Sequence, residues 1–184
     1  MGKVALFMMV SLDGYMEGLN HDLSWHNVDD EFNEFAATQL DEASTLVFGK
    51  KTYEMMAEFW PSQYAIKSGP VVAGKMNNMP KIVFSHRLKR ANWGNTQVLS
   101  AIKELSNLKK NSSKDLLVLG SNNLGVSLLQ MDLLDKIRIM INPVIIGSGT
   151  ALFKGLSKVK KLKLASSRSF RSGNVLLYLS PKVK

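Results

Sequence analysis

Three short stretches hold the side chains best suited to binding or catalysis. In TLVFGKKTYEMM, residues 45–56, an apolar run ends at Gly49, and Lys50, Lys51 and Thr52 follow. Tyr53, Met56 and Ala57 then fall on one face of a helical pattern. In LLVLGSNNLGVSLL, residues 116–129, a second apolar run meets Gly120, Ser121 and Asn122 before another helical pattern. A buried strand, a glycine and a helix start together present free backbone N–H donors and partial positive charge, which is chemistry suited to a phosphate. The third stretch, DLSWHNVDDEF at 22–32, sets Trp25 ahead of Asp29, Asp30 and Glu31. A carboxyl turned inward there, beside aromatic rings, would be partly desolvated and could give up a proton near neutrality. Turned outward, the same acids would only complement a helix dipole.

Other motifs are excluded by spacing. A P-loop, G-x-x-x-x-G-K-[ST], would need glycine where Ser44 stands and Ser or Thr where Lys51 stands. Gly147-Ser148-Gly149 would need a third glycine at Leu152 to form a dinucleotide fingerprint, so it reads as a turn that could still admit a ligand close to the backbone. His21, His26 and His86 lack metal-ligand spacing, and no G-x-S-x-G elbow is present.

The surrounding secondary structure follows from hydrophobic pattern. Val4 to Val10 is continuously apolar, as in a strand covered on both faces. Phe32, Phe35, Ala36 and Leu40 mark a helix, Leu46 to Phe48 a strand, and Thr52 to Phe59 a helix stopped by Pro61. Residues 61–80 read as mainly loop. KIVFS at 81–85 and residues 97–99 read as strands, 102–108 as a helix, and 116–119 as a strand feeding a further helix. The last third changes character: IRIMINPVIIG, KLKLASS and NVLLYL are strands with no helix between them. A mostly parallel α/β sheet finished by antiparallel strands, in one domain, is expected.

Composition narrows the function classes. The 184 residues hold no cysteine, which removes disulfides, zinc-thiolate sites and thiol nucleophiles. The net charge of +9 is spread over short separate groups without any nucleic-acid recognition pattern, so no nucleic-acid partner is expected, and a small anionic ligand suits the charge better. The apolar N-terminal stretch is too short for a membrane span and has no small-residue cleavage site, so a soluble cytoplasmic protein with no membrane partner is expected.

Taken in order, MMVSLDGYMEG, LSW, LVFGKKTYE, MNNMPKIVFS, VLGSNNLGVSLL, LLDKIRIMINPVIIGSGTALF and SGNVLLYL resemble the dihydrofolate reductase superfamily. The likeness is greatest to standalone proteins similar to the RibD C-terminal domain, the reductase half of the riboflavin deaminase-reductase. The resemblance implies a dihydrofolate reductase-like three-layer fold and NADPH as cofactor. It implies that Lys50, with Ser85, His86 and Arg87, faces the adenosine 2′-phosphate. Gly49, Lys51 and Thr52 would meet the diphosphate from one helix, and Gly120, Ser121 and Asn122 from the other. The loop 11–20 would cover nicotinamide, and Asp30 falls at the active-site acid. A homodimer is also implied, in keeping with the apolar C-terminal strands.

Two departures leave the substrate open between pterin-like and aminopyrimidine compounds. The chain lacks the zinc deaminase signature H-x-E with P-C-x-x-C, and DDEFNEFAATQL carries no arginine. A regulatory protein that binds NADPH without turnover is the alternative.

Overall fold

The computed structural model describes residues 1–182. In chain order it runs β1 (Val4–Ser11), β2 (Tyr15–Glu17), α1 (Asp30–Asp41), β3 (Ala43–Gly49), α2 (Lys50–Phe59), α3 (Gln63–Ser68), α4 (Pro70–Asn78), β4 (Lys81–Phe84) and β5 (Thr96–Leu99). Then come α5 (Glu104–Lys110), β6 (Asp115–Leu119), α6 (Asn122–Gln130), β7 (Lys136–Asn142), β8 (Thr150–Ala151), β9 (Leu162–Ser169) and β10 (Val175–Pro181). Eight strands form one sheet in the order β5-β4-β3-β6-β1-β7-β10-β9. The strands from β5 to β7 are parallel; β10 runs antiparallel to β7, and β9 antiparallel to β10.

Alternation along the strands builds a core on each face. Leu6 and Met8 of β1 join Leu105 of α5 and Leu124 and Leu128 of α6, while Ala5 and Phe7 join Phe35 of α1, Tyr53 of α2 and Met76 of α4. Helices on both faces explain why β1 reads as continuously apolar. No helix among the described residues is long and apolar enough to cross a membrane.

Two expectations change. Residues 61–80 hold two helices: Ser62 Oγ caps α3 by accepting the Ala65 N–H at 3.2 Å, and Pro70 opens α4, where its missing N–H costs nothing. Buried Lys81 finishes α4, its ammonium donating to the carbonyls of Asn77, Met79 and Gly94 at 2.9, 2.8 and 3.1 Å. The strand expected over IRIMINPVIIG stops at Asn142, because Pro143 has no N–H for the ladder. Ile137, Ile139 and Met140 are buried within their own chain, so the apolar run of β7 needs no second subunit to cover it.

Candidate functional site

Strands β3 and β6 are neighbours and parallel, so Gly49 and Gly120 end side by side and α2 and α6 start together. The glycines interlock. A Cβ on Gly49 would overlap the Ser121 hydroxyl, and one on Gly120, at φ +63°, would come within 3.1 Å of Thr52 Cγ2. Each helix start therefore packs against the glycine that precedes the other. Neither start has a side-chain cap. Ser121, immediately before α6, lies at φ 65°, ψ 85°, with its hydroxyl toward Gly49. A left-handed serine costs about 1–2 kcal/mol, and the outcome is two adjacent helix N-termini whose leading N–H groups receive nothing from a capping side chain. Asn122 is buried; its amide donates to the Lys154 carbonyl at 3.0 Å, and its Oδ1 has no partner.

The next strand outward, β4, adds the basic residues. Ser85 Oγ accepts the N–H groups of Arg87 at 3.1 Å and Leu88 at 2.9 Å, which fixes the turn that presents exposed His86 and Arg87. Lys50 is half-exposed and pairs at 3.3 Å with Glu54; Lys51 is exposed. The contiguous ends of β4, β3 and β6 thus gather every residue singled out for phosphate contact along one edge of the sheet.

The loop after β1 is tied across to the segment after β7. The Asp13 carboxylate accepts the Gly147 N–H at 2.8 Å and the Ile146 N–H at 3.3 Å. Its pKa is held below the ordinary carboxylate value, first by the Ser11 hydroxyl and then by these backbone donors. Strand β2 pairs with β8, and a Cβ on Gly149 would overlap the Glu17 carbonyl. At Gly149 the turn thus admits the chain's own backbone.

The acid cluster divides into three roles. Asp29 caps α1, accepting the Phe32 N–H at 2.8 Å. Glu31 turns to the β9–β10 hairpin, where it accepts the Arg171 N–H at 2.8 Å and pairs with Arg168 at 2.8 Å; the backbone donor first, and then Arg168, keep its pKa low. Asp30 is exposed, and no partner reaches it among the described residues. Of the two orientations open to these acids, Asp30 takes the outward one, because α1 begins at Asp30 and turns that side chain to solvent. Part-buried Phe32, in the first turn of α1, packs like Met9 and Leu119 against the core on that face of the sheet.

Sequence reasoning missed three asparagines at the same end of the sheet. Asn142 Oδ1 accepts the Asn27 N–H at 2.8 Å, Asn174 Nδ2 donates to the Asn27 carbonyl at 2.8 Å, and Asn27 Nδ2 donates to the Ser172 carbonyl at 2.8 Å. Asn142 and Asn174 are wholly buried. The available signal was polar residues at the limits of apolar strands, in INPV and SGNV. His26, next to Asn27, stands edge-on to Trp25 at 4.5 Å; burial pushes its pKa down to about 4, against a smaller upward pull from Asp22.

The sequence matches the RibD C-terminal domain over residues 2–176. Among related sequences, YyaP of Bacillus subtilis (strain 168), described as uncharacterized, is 27% identical over 179 residues, spanning 94% of this chain and 92% of that protein. A crystal structure from Shewanella sp. PV-4, assigned to riboflavin biosynthesis, superposes with a TM-score of 0.74 at 20% identity, over 98% of this chain and 99% of that one. The Thermotoga maritima diaminohydroxyphosphoribosylaminopyrimidine deaminase/5-amino-6-(5-phosphoribosylamino)uracil reductase superposes with a TM-score of 0.69 at 19% identity, over 98% of this chain and 57% of that longer one. At these identities the structural likeness is one of fold.

Proposed function

The chain belongs to the RibD C-terminal domain family, and from that premise we propose that it is an NADPH-dependent reductase acting on a C=N or similarly polarised bond of an aminopyrimidine or pterin-like substrate. The observation that supports this best is the pair of interlocked, uncapped helix starts at Gly49 and Gly120. Two N-termini converging on one point suit a diphosphate, and the orphaned Asn122 Oδ1 beside them could accept from a ligand hydroxyl or amide.

In this reading Gly49, Lys51, Thr52, Gly120, Ser121 and Asn122 would hold the diphosphate, and Lys50, Ser85, His86 and Arg87 the 2′-phosphate. The bound cofactor supplies the hydride. The protein's work is to orient the reactants, exclude water and place a proton. Asp30 would protonate the nitrogen as the neighbouring carbon accepts hydride, so that C=N becomes CH–NH. Because Asp30 is open to solvent, the substrate would have to supply its desolvation.

Binding is the direct test. Titration calorimetry should give tighter NADPH than NADH binding by one to two decades, the equivalent of a charge-assisted contact of about 1.5–3 kcal/mol, with the difference shrinking as salt rises. Equal affinity for the two cofactors would overturn the 2′-phosphate assignment. The exposure of Asp30 favours a second reading, in which the same pocket binds NADPH for regulation and no turnover follows.

We also propose that the protein is a homodimer. With β7 covered in its own chain, the surface that favours a second copy is the outer sheet. There Leu164, 55% exposed, lies opposite Leu179, and Leu177 follows on the same face.

A further inference from the structure

We propose that Asn142 and Asn174 are positioning residues, which from the C-terminal strands fix Asn27 and, through it, the first turn of α1 that presents Asp30. This rests on the reading of Asp30 as proton donor. Both backbone groups of Asn27 and its side-chain amide are held by the C-terminal strands and their hairpin. Asn142 is fixed in turn, its Nδ2 donating to the Val10 carbonyl at 3.2 Å at the end of β1. On the other side of Asp30, Glu31 is tied to Arg168 and to the Arg171 N–H of the same hairpin. Asp30 itself is free, yet the chain is fastened three residues before it and one residue after it. A carboxylate that must reach a substrate atom needs its backbone held this way, because small displacements at a reacting centre are costly to rate.

The fastening is not one that stability alone would favour. Among the described residues five buried side-chain polar atoms lack a partner, and three of them, His26 Nε2, Ser172 Oγ and Asn174 Oδ1, belong to this strap and hairpin. Unpaired buried polar atoms cost stability, and local violations of this kind concentrate at functional sites. The account also gives work to INPV and SGNV, two C-terminal motifs that cofactor binding leaves unused.

The test joins hydrogen exchange to a double-mutant cycle. Asn174→Leu keeps the approximate size but cannot donate to the Asn27 carbonyl; Asn174→Ala, which removes the same donor without filling the site, is the second variant should the buried leucine prevent folding. Amide exchange in peptides covering 22–31 should rise about tenfold or more, while 45–56 and 116–129 stay unchanged. With dihydrofolate and 5-amino-6-(5-phosphoribosylamino)uracil as probes, kcat should fall about 10- to 100-fold with NADPH affinity unchanged. That loss should vanish in an Asp30→Asn background. Leu105→Ala, in the core of the opposite face, calibrates loss of stability alone and should leave the rate intact. Unchanged exchange at 22–31 would overturn the strap whatever the rates, and losses that simply add to those of Asp30→Asn would overturn its action through Asp30. Raised exchange together with full activity, or no activity, in both the wild type and Asp30→Asn would retire the proton-donor reading and with it the catalytic purpose of the strap.

Discussion

Replacing Gly49 by alanine puts the interlock of the two helix starts to a quantitative test. The backbone at Gly49 is ordinary, at φ −83°, so an alanine there carries no conformational strain. The entire cost comes from contact: the new methyl overlaps the Ser121 hydroxyl and lies 3.1 Å from Ser121 Cβ. Overpacking of this kind typically costs about 1–3 kcal/mol. For a chain of this size each kcal/mol moves Tm by about 2–4 °C, so Gly49→Ala should melt roughly 2–12 °C below wild type. Ser121→Gly removes the clashing group and also relieves about 1–2 kcal/mol of left-handed strain, against about 0.5–1 kcal/mol of added chain entropy. Alone it should be neutral to about 1.5 kcal/mol stabilising; combined with Gly49→Ala it should restore most of the lost Tm. Scanning calorimetry reads the stabilities, and NADPH titration should follow the same order, weaker in Gly49→Ala and recovered in the double variant. An unchanged Tm in Gly49→Ala, or a double variant no better than the single, would show that Gly49 and Ser121 do not abut.

Asp30→Asn should keep the fold and NADPH affinity while turnover falls about 10²–10⁴-fold, the usual span for a general acid; Asp29→Asn, which keeps an amide oxygen for the cap, should cost little, and an unchanged rate in Asp30→Asn would reject the assignment. His26 titrates near 4 when folded and near its ordinary 6.5 when unfolded, so the unfolded chain binds more protons between those values and stability should rise with pH from about 4 to 6.5. At about 1.4 kcal/mol per pH unit the full span is about 3 kcal/mol; His26→Gln should flatten the urea midpoint over that window, and a slope identical to wild type would place the proton elsewhere. Light scattering at micromolar concentration should give twice the chain mass, with Leu164→Glu shifting it toward one; a wild-type monomer would remove the proposed interface.

Local pattern made most of the frame legible. Continuous apolar runs marked β1, β3, β4 and β6 because helices cover both sides of them, and the glycines after β3 and β6 marked the helix starts. Residues 61–80 misled because two prolines bound helices only six and nine residues long, too short for a clear periodic signal, and one of them opens on Pro70 itself. At the candidate site the residues proposed for phosphate contact stand together in the fold because each lies beside its own strand end. The acid's surroundings were not legible. Whether Asp29, Asp30 or Glu31 turns inward depends on where α1 starts, and a shift of one residue rotates the set by about 100°. The asparagine strap joins residues more than a hundred positions apart, which no local pattern encodes.

The proposed activity is oxidation of NADPH coupled to reduction of a polarised C=N bond. The most direct measurement is NADPH consumption, followed by loss of its absorbance, with dihydrofolate and 5-amino-6-(5-phosphoribosylamino)uracil offered separately. Substrate-dependent oxidation of NADPH is expected with at least one of them, slower with NADH and about 10²–10⁴-fold slower in Asp30→Asn. Tight NADPH binding with no substrate-dependent oxidation on either compound would contradict it and favour the protein that binds without turnover.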